Sequence, residues 1–560
     1  MAESESALKS ETWIMSQREW LISIGLVWCA CLFLTATVTI ADPDLWGHTL
    51  YGLRALDAHV LVERTDPFCY TEPGAVWINH EWFSEDSFGW LWHRFQNPGL
   101  WLWRNFWLLM MLIPGWLALR KQQASLAGGV LLLVYTAFCL SQFVVFIRPQ
   151  LVTFGCFAWT LLLLRSYLAA PQLKAIWYLP VLMLFWANSH GGFLAGVGIQ
   201  GLVVGWMGWQ ALRGKYRQAD FWRLAFVVSF AWGVTLINPY GVGLHQMLWD
   251  HLITKQIVRE WIPLWEARQA LMYYIPFLLI GLAFLGSRKW EWIDLLLIVV
   301  VGYQAVSHIR HVALLAIAVM ILLPVPLSDA LRRMFPRLHQ QWAGTHRAGL
   351  RMLLVGSITL CIYGLGVHTV VKLWQQNVPP WQIGVETRSR APGMPVAAIT
   401  VLKQNGLQGN ILTDYGWGQY VIWQTFPESK IAFDGRYRTI YSARLEQELI
   451  AFQRLNADSQ GPTPLLDDYP TEILLLPAAE AVQGYLKKRT DWKQVYADEQ
   501  STIWLKDSPR FETIIRRTRE KLLEVPAIPT WCLFPADPPQ RKTERSQAEM
   551  GTAGLQRKFN

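Results

Sequence analysis

Long apolar runs separated by short polar joints dominate the chain. A bilayer core takes about 20 mostly apolar residues per helix. Runs at 20–40, 100–119, 126–146, 151–164, 175–187, 192–212, 221–237, 271–285, 292–306, 312–326 and 350–371 reach or approach that length. They predict about eleven membrane spans. Segment 81–95, EWFSEDSFGWLWHRF, places aromatic and aliphatic residues on one helical face and acids on the other. That pattern favours a helix lying at the membrane interface over a further span. The polar N-terminus, 1–19, precedes an apolar run with no cleavage signature, so the first run reads as a retained span.

Basic residues orient the spans. With the N-terminus cytoplasmic, the inner joints hold Arg120 and Lys121; Arg165 and Lys174; Arg213, Lys215, Arg217 and Arg223; Arg288 and Lys289; and Arg332, Arg333, Arg337, Arg347 and Arg351. The short outer joints hold only Arg148 and Arg310. This asymmetry follows the positive-inside rule. It puts three larger segments, the first loop 41–99, the loop 239–270 and everything after Lys372, on the outer face of a bacterial inner membrane.

The pattern changes near residue 396. Helical periods at 396–404, 419–424, 442–452 and 478–487 alternate with short strand-like runs at 410–413, 430–433, 472–476 and 501–505. Alternation of this kind predicts a small α/β domain over 396–507. The linker 375–395 is proline-containing, and the charged tail 508–560 is expected to be poorly ordered. The fold class is thus a polytopic α-helical membrane protein, its spanning domain covering 20–374, with a C-terminal extracytoplasmic α/β domain.

Composition supports this class. Of 560 residues, 52% are hydrophobic and 16% charged, and mean hydropathy is +0.21. A soluble domain carries about 25% charged residues, so soluble, disordered and fibrous classes are excluded. The net charge of +9 is not a nucleic-acid footprint, because the basic residues sit at the inner joints. The seven cysteines form no metal spacing, and only Cys69 and Cys532 fall in polar segments. No phosphate-binding glycine loop, dinucleotide fingerprint, nucleophile elbow or zinc-protease motif is present.

Polar residues at bilayer depth are costly and mark sites. Here they gather at the predicted outer ends of helices: Asp42 and Asp44 after the first span; His80 and Glu81 late in the first loop; Arg148; Asn188 and His190; Asn238 and Tyr240; Glu260; and His308, Arg310 and His311. Each group also has an ordinary reading as a helix cap, a tight turn or an interfacial anchor. Their shared face argues for one polar site roofing a helix bundle.

Several motifs resemble a bacterial group within the GT-C glycosyltransferase superfamily: Asp42-Pro-Asp44-Leu-Trp-Gly-His48, Arg64-Thr-Asp66-Pro-Phe68, Trp77-Ile-Asn-His80-Glu81-Trp82, Arg148-Pro-Gln150, Trp186-Ala-Asn188-Ser-His190-Gly-Gly-Phe193, Ile237-Asn-Pro-Tyr240-Gly241, Thr413-Asp414-Tyr415-Gly416-Trp-Gly418 and Phe433-Asp434-Gly435-Arg436-Tyr437. The resemblance implies transfer of a sugar from a polyprenyl-phosphate donor to an acceptor on the outer face. It places the catalytic acid of the first loop at Asp44, with Asp42 as partner or alternate and Glu81 and His80 beside them. Arg148, Arg310, His308 and His311 are candidates for the donor phosphate, and Asn188, His190 and Tyr240 for the substrate. A divalent ion held by Asp44, Glu81 and a histidine is compatible with these residues, and oxygen ligands favour Mg or Mn. The alternatives are a transporter or flippase of lipid-linked sugars and a non-catalytic scaffold.

Overall fold

The computed structural model describes residues 17–253, 261–267, 271–337, 347–387, 393–524 and 527–537. The chain forms two compact units, Met1–Arg64 with Ile78–Ile383, and Thr65–Trp77 with Gly384–Asn560. The first loop is therefore divided: its segment Thr65–Trp77 belongs to the second unit.

The first unit is helical. Its elements are α1 (Gln17–Ala36), α2 (Leu45–Asp57), α3 (Trp82–Lys121), α4 (Leu126–Val144), α5 (Gln150–Ala169), α6 (Tyr178–Ser189), α7 (Phe193–Leu212), α8 (Gln218–Gly233), α9 (Val242–Ile253), α10 (Ile275–Gly286), α11 (Trp292–Ser307), α12 (Val312–Leu322), α13 (Pro324–Met334) and α14 (Ala348–Trp374). Every residue of α12 is buried, as expected of a helix apolar on all sides. In α14 only Arg351, Val355, Ile362 and Gly366 are buried. It packs along α1, and Arg351 Nε donates to Glu19 Oε1 at 2.8 Å. Segment 81–95 is the first part of α3, which breaks at Gln96 (φ 54°) before Pro98.

Among the described residues, six helices are long and apolar enough to cross a membrane: α1, α3, α4, α5, α8 with its extension to Leu236, and α14. A seventh is gained if Ile309–Leu322 and α13, bent by 69°, count as one. The sequence pattern predicts about eleven. The difference lies in α7, which has 20 residues but is not among the six, and in short helices such as α6, with 12 residues, and α11, with 16. At 1.5 Å per residue the short ones do not reach across a core about 30 Å thick.

Two contacts set the geometry at the C-terminal end of α1. Arg104 of α3, 1% exposed, donates from Nη2 to Thr35 O and from Nε to Val144 O, both at 2.5 Å. Its charge rests on the negative ends of α1 and α4. The second contact is the crossing of α2 and α3. A Cβ at Gly52 would lie 1.9 Å from Glu85 O, and one at Gly89 would lie 2.4 Å from Gly52 C. The two backbones touch because neither residue has a side chain.

The second unit holds a five-stranded sheet in the order β3-β2-β4-β6-β5, with β2 (Asn410–Thr413), β3 (Lys430–Ile431), β4 (Ile473–Pro477), β5 (Trp492–Ala497) and β6 (Ser501–Lys506). Strand β2 runs parallel to β3 and β4, and β6 is antiparallel to β4 and β5. A separate pair joins β1 (Gly384–Glu386) to β7 (Trp531–Leu533). The predicted linker and tail thus each supply a strand, and the tail also forms a helix, Glu512–Arg517. Strand β7 is only three residues long and lies among prolines, at 526, 529 and 535, which hide it in the sequence.

Backbone atoms cannot yield to a methyl group, and overpacking costs about 1–3 kcal/mol or more. Gly52→Ala and Gly89→Ala should each lower the thermal unfolding midpoint in detergent. Gly25→Ala in α1, with nothing within 4 Å of the added atom, should leave it unchanged.

Candidate functional site

Asp42, fully buried, accepts from Arg148 Nε at 2.5 Å and from the Asp44 backbone N–H at 3.1 Å. Arg148 Nη2 bonds the same carboxylate oxygen. This forked, charge-assisted pair joins the start of the first loop to the turn before α5. The parallel bridge Ile40–Phe146 runs beside it. Asp42 and Arg148, expected as catalytic partner and phosphate ligand, bind each other.

Asp44 is the N-cap of α2, yet its side chain makes no capping hydrogen bond. Burial, and the Asp42 carboxylate next to it, push its carboxyl up to about 7, against the pull of His48 and Arg148. A carboxylate titrating there is poised to accept a proton.

One turn further along α2, buried His48 meets α3. Its Nδ1 lies 2.8 Å from Glu85 Oε1 and 3.9 Å from Glu81 Oε2. The Gly52–Gly89 contact lies one turn beyond each partner and brings the two helix faces together. Burial alone would lower His48, but the Glu85 hydrogen bond and the Glu81 charge raise it from 6.5 to about 9. Asn79 Nδ2 bonds the other oxygen of Glu85. The Asn79 backbone N–H donates to Tyr240 Oη at 3.0 Å, and Asn79 Oδ1 accepts from the Glu81 N–H at 3.1 Å. Tyr240 therefore holds the turn that presents Glu81.

Glu81 caps α3 and faces three imidazoles. Its Oε1 is 3.5 Å from His190 Nε2 and 3.7 Å from His80 Nε2. Burial raises its carboxyl, opposed by His48, Arg310 and Arg148. Burial pushes His80 down to about 4, so it is neutral at neutral pH. His190 is neutral for a geometric reason. Its Nδ1 accepts the Gly192 N–H at 2.9 Å and lies 2.8 Å from Thr153 Oγ1, which accepts from Trp186 Nε1 at 2.8 Å. With Nδ1 an acceptor, the ring proton sits on Nε2, facing Glu81.

The other predicted residues divide into two groups. Asn188 is structural: Oδ1 accepts from Trp82 Nε1 at 3.0 Å, and Nδ2 donates to Leu184 O and Ile237 O. His308 and His311 pack on Trp261, and His308 Nδ1 lies 2.9 Å from Trp261 O. Arg310 stacks over the same indole at 4.9 Å, and its charge acts on Glu81 and His80. Glu260 lies outside the described residues. The site thus gathers Asp44, His48, His80, Glu81, Glu85, His190 and Arg310.

Glu85 and Thr153 were not among the predicted residues. Glu85 stands four residues after Glu81, on the same helical face, and that spacing was a usable signal. Thr153 had none, being one of several threonines in apolar runs.

Three ligand atoms, from His48, Glu81 and Glu85, lie within 4.8 Å of one another. A mixed imidazole and carboxylate set suits zinc or manganese better than magnesium. A proton and an ion compete for His48 Nδ1. The sequence-based set of Asp44, Glu81 and a histidine differs: Asp44 is outside this group and Glu85 is inside it.

No family model matches the chain, and no curated protein matches it. Among solved structures, ArnT from Cupriavidus metallidurans bound to undecaprenyl phosphate aligns with a TM-score of 0.50 at 11% identity, over 87% of this chain and 98% of that one. The arabinofuranosyltransferase AftD from Mycobacteria aligns at 0.46 and 15% identity, over 88% of this chain and 40% of that one. The likeness to ArnT is one of fold.

The His48–Glu85 pair should give the chelated protein a pH-dependent stability. A group raised on folding stabilises fully below its unfolded value and ceases to do so above its folded one. The contribution should be intact at pH 6 and decline from 6.5 to about 9. Glu85→Gln should flatten this slope in thermal unfolding measured with chelator present.

Proposed function

We propose that the chain is a membrane glycosyltransferase that moves a sugar from a polyprenyl-phosphate donor to a hydroxyl acceptor, with Asp44 as general base. The observation that carries this reading is a carboxylate held near neutrality at a helix end, without a capping bond, beside buried histidines and an arginine. The fold shared with ArnT, a protein bound to undecaprenyl phosphate, supports the donor class. The scarcity of Lys and Arg at this end of the bundle supports the extracytoplasmic face.

In the reaction, Asp44 takes the proton of the acceptor hydroxyl as its oxygen attacks the anomeric carbon. The bond from that carbon to the phosphate oxygen breaks, and the polyprenyl phosphate leaves with the electron pair. Protonated His48 and Arg310 face the charge that develops on the departing group. Arg148 acts differently from a direct phosphate ligand: it fixes Asp42, whose negative charge helps to keep Asp44 basic. Glu81, braced by Asn79 and the imidazoles, orients the sugar. If a divalent ion is bound, His48, Glu81 and Glu85 would hold it, and it would add positive charge at the phosphate.

Asp44→Asn should lower kcat at least 100-fold, within the ~10²–10⁴ range of general-base catalysis, while undecaprenyl phosphate still binds. The wild-type kcat/KM should rise with pH through a limb near 7, and the variant should lack that limb. Full transfer by Asp44→Asn in a reconstituted assay with a polyprenyl-phosphate sugar would overturn the base assignment.

A further inference from the structure

Thr153 has no part in the proposed reaction, yet it stands where three helices of the first unit meet beside the site. It lies in the first turn of α5 and is 4% exposed. Its Oγ1 is 2.8 Å from Trp186 Nε1 of α6 and 2.8 Å from Nδ1 of His190, the residue that ends α6. The Gly192 N–H, at the start of α7, reaches the same Nδ1 at 2.9 Å. Trp186 is fully buried and His190 is buried beside it. A side chain at position 192 would collide with Thr153 Oγ1 and with the imidazole, so glycine there is what lets the hydroxyl approach.

The donors fix the direction of every bond. An indole N–H and a backbone N–H can only donate. Trp186 therefore makes Thr153 Oγ1 an acceptor, and Gly192 makes His190 Nδ1 an acceptor. The one hydrogen left to Thr153 points at Nδ1, and the imidazole proton is left on Nε2. Hydrogen bonds run one way, from the Trp186 indole through the Thr153 hydroxyl to the ring, and the ring presents an N–H on its far side. That N–H faces Glu81 Oε1, 3.5 Å away.

The backbones on either side of this gap are fastened independently. Trp82 Nε1 donates to Asn188 Oδ1 at 3.0 Å, and Ser84 Oγ donates to Ser189 O at 2.8 Å, tying the first turn of α3 to the end of α6. The His190 N–H donates to Trp186 O at 3.0 Å. These bonds set where Glu81 and His190 stand. They leave open which way the imidazole turns and which nitrogen carries its proton.

We infer that Thr153 is a positioning residue for the site: its hydroxyl, held by the Trp186 indole, fixes His190 in the tautomer and ring orientation that present the Nε2–H to Glu81. A carboxylate that receives this donor keeps one oxygen turned to His190 and is steadied for the sugar. Valine has nearly the shape of threonine, with a methyl in place of the hydroxyl. Thr153→Val leaves the indole without its acceptor and Nδ1 with one donor instead of two. The ring then turns, or carries its proton on Nδ1, in part of the molecules. The consequence for sugar binding rests on the proposed function, whereas the tautomer does not.

The test uses the whole chain in lipid vesicles at neutral pH, with isotopically labelled histidine. Solid-state NMR separates protonated from bare ring nitrogens, and the His190 signals are those that vanish in His190→Gln. Wild type should show a bare Nδ1 and a protonated Nε2. In Thr153→Val a second form with a protonated Nδ1, or a broadened ring signal, should appear, and Thr153→Ser should keep the single wild-type form. The KM for a polyprenyl-phosphate sugar should rise about tenfold in Thr153→Val, as for one hydrogen bond lost, while the pH limb assigned to Asp44 stays in place. Wild type with a proton on Nδ1 would overturn the relay. A single wild-type form in Thr153→Val would overturn the role of Thr153, since Gly192 would then suffice, and so would a disturbed ring in Thr153→Ser, since shape and not the hydroxyl would then matter. A disturbed ring with unchanged KM would overturn the positioning role. If Thr153→Val does not fold, Thr153→Ala, which removes the hydroxyl and adds no bulk, is judged by the same signals. A wild type that transfers no sugar would count against the proposed function and against any effect on KM, while the ring signals would still judge the relay.

Discussion

The direct contact of two backbones at Gly52 and Gly89 is the constraint on which the rest of the site depends. Any side chain at either position would force α2 and α3 apart. A hydrogen bond between side chains reaching across a helix pair tolerates only a few tenths of an ångström. The 2.8 Å separation of His48 and Glu85, one turn away, is therefore a consequence of two missing Cβ atoms. That separation also sets the proton affinity of His48, because the hydrogen bond and the charges outweigh the cost of burying the ring.

Burying ions beside a bilayer is expensive unless each has a partner, and the protein meets this in three ways. Asp42 and Arg148 form a forked ion pair. Arg104 rests on the carbonyl ends of two helices. Arg436 lies between two carboxylates and two aromatic rings. All three hold segments in place. Among the described residues, no hydrogen bond joins the carboxyls of Asp44 and Glu81 to such a forked guanidinium, and burial raises both. The arrangement separates acids that hold the structure from acids available to react.

The sequence shows the helical body and most strands of the second unit, because periodicity reports burial directly. β2 spans the predicted residues, and β4 and β6 lie within one residue of theirs. It does not show β1, β5 or β7. In β5, Lys493 and Gln494 interrupt the apolar alternation, and β7 is three residues long. Among site residues, the convergence of Asp44, Glu81, His80, His190 and Arg310 was legible, since charge at a helix end in an apolar chain is rare. The division of labour among them was not. That Arg148 pairs with Asp42 depends on the distance between two helix ends, about which the linear order of residues says nothing. The pairing of Asp66 with Arg436 was equally hidden, the two lying 370 positions apart.

The charge balance of the site bears on why Asp44 suits the proposed base. Asp42 with Arg148, and Glu85 with His48, each cancel. His80 and His190 are neutral, one through burial and the other because its Nδ1 accepts a backbone N–H. During the proposed transfer the donor phosphate would pass from one negative charge to two, while Asp44 would gain a proton and lose its negative charge. The total charge of these groups would stay constant, so the step would avoid the desolvation cost of a net change in charge. A base of ordinary acidity would bind the proton too weakly to offset the phosphate. One held near 7 binds it strongly enough and still releases it to water before the next turnover.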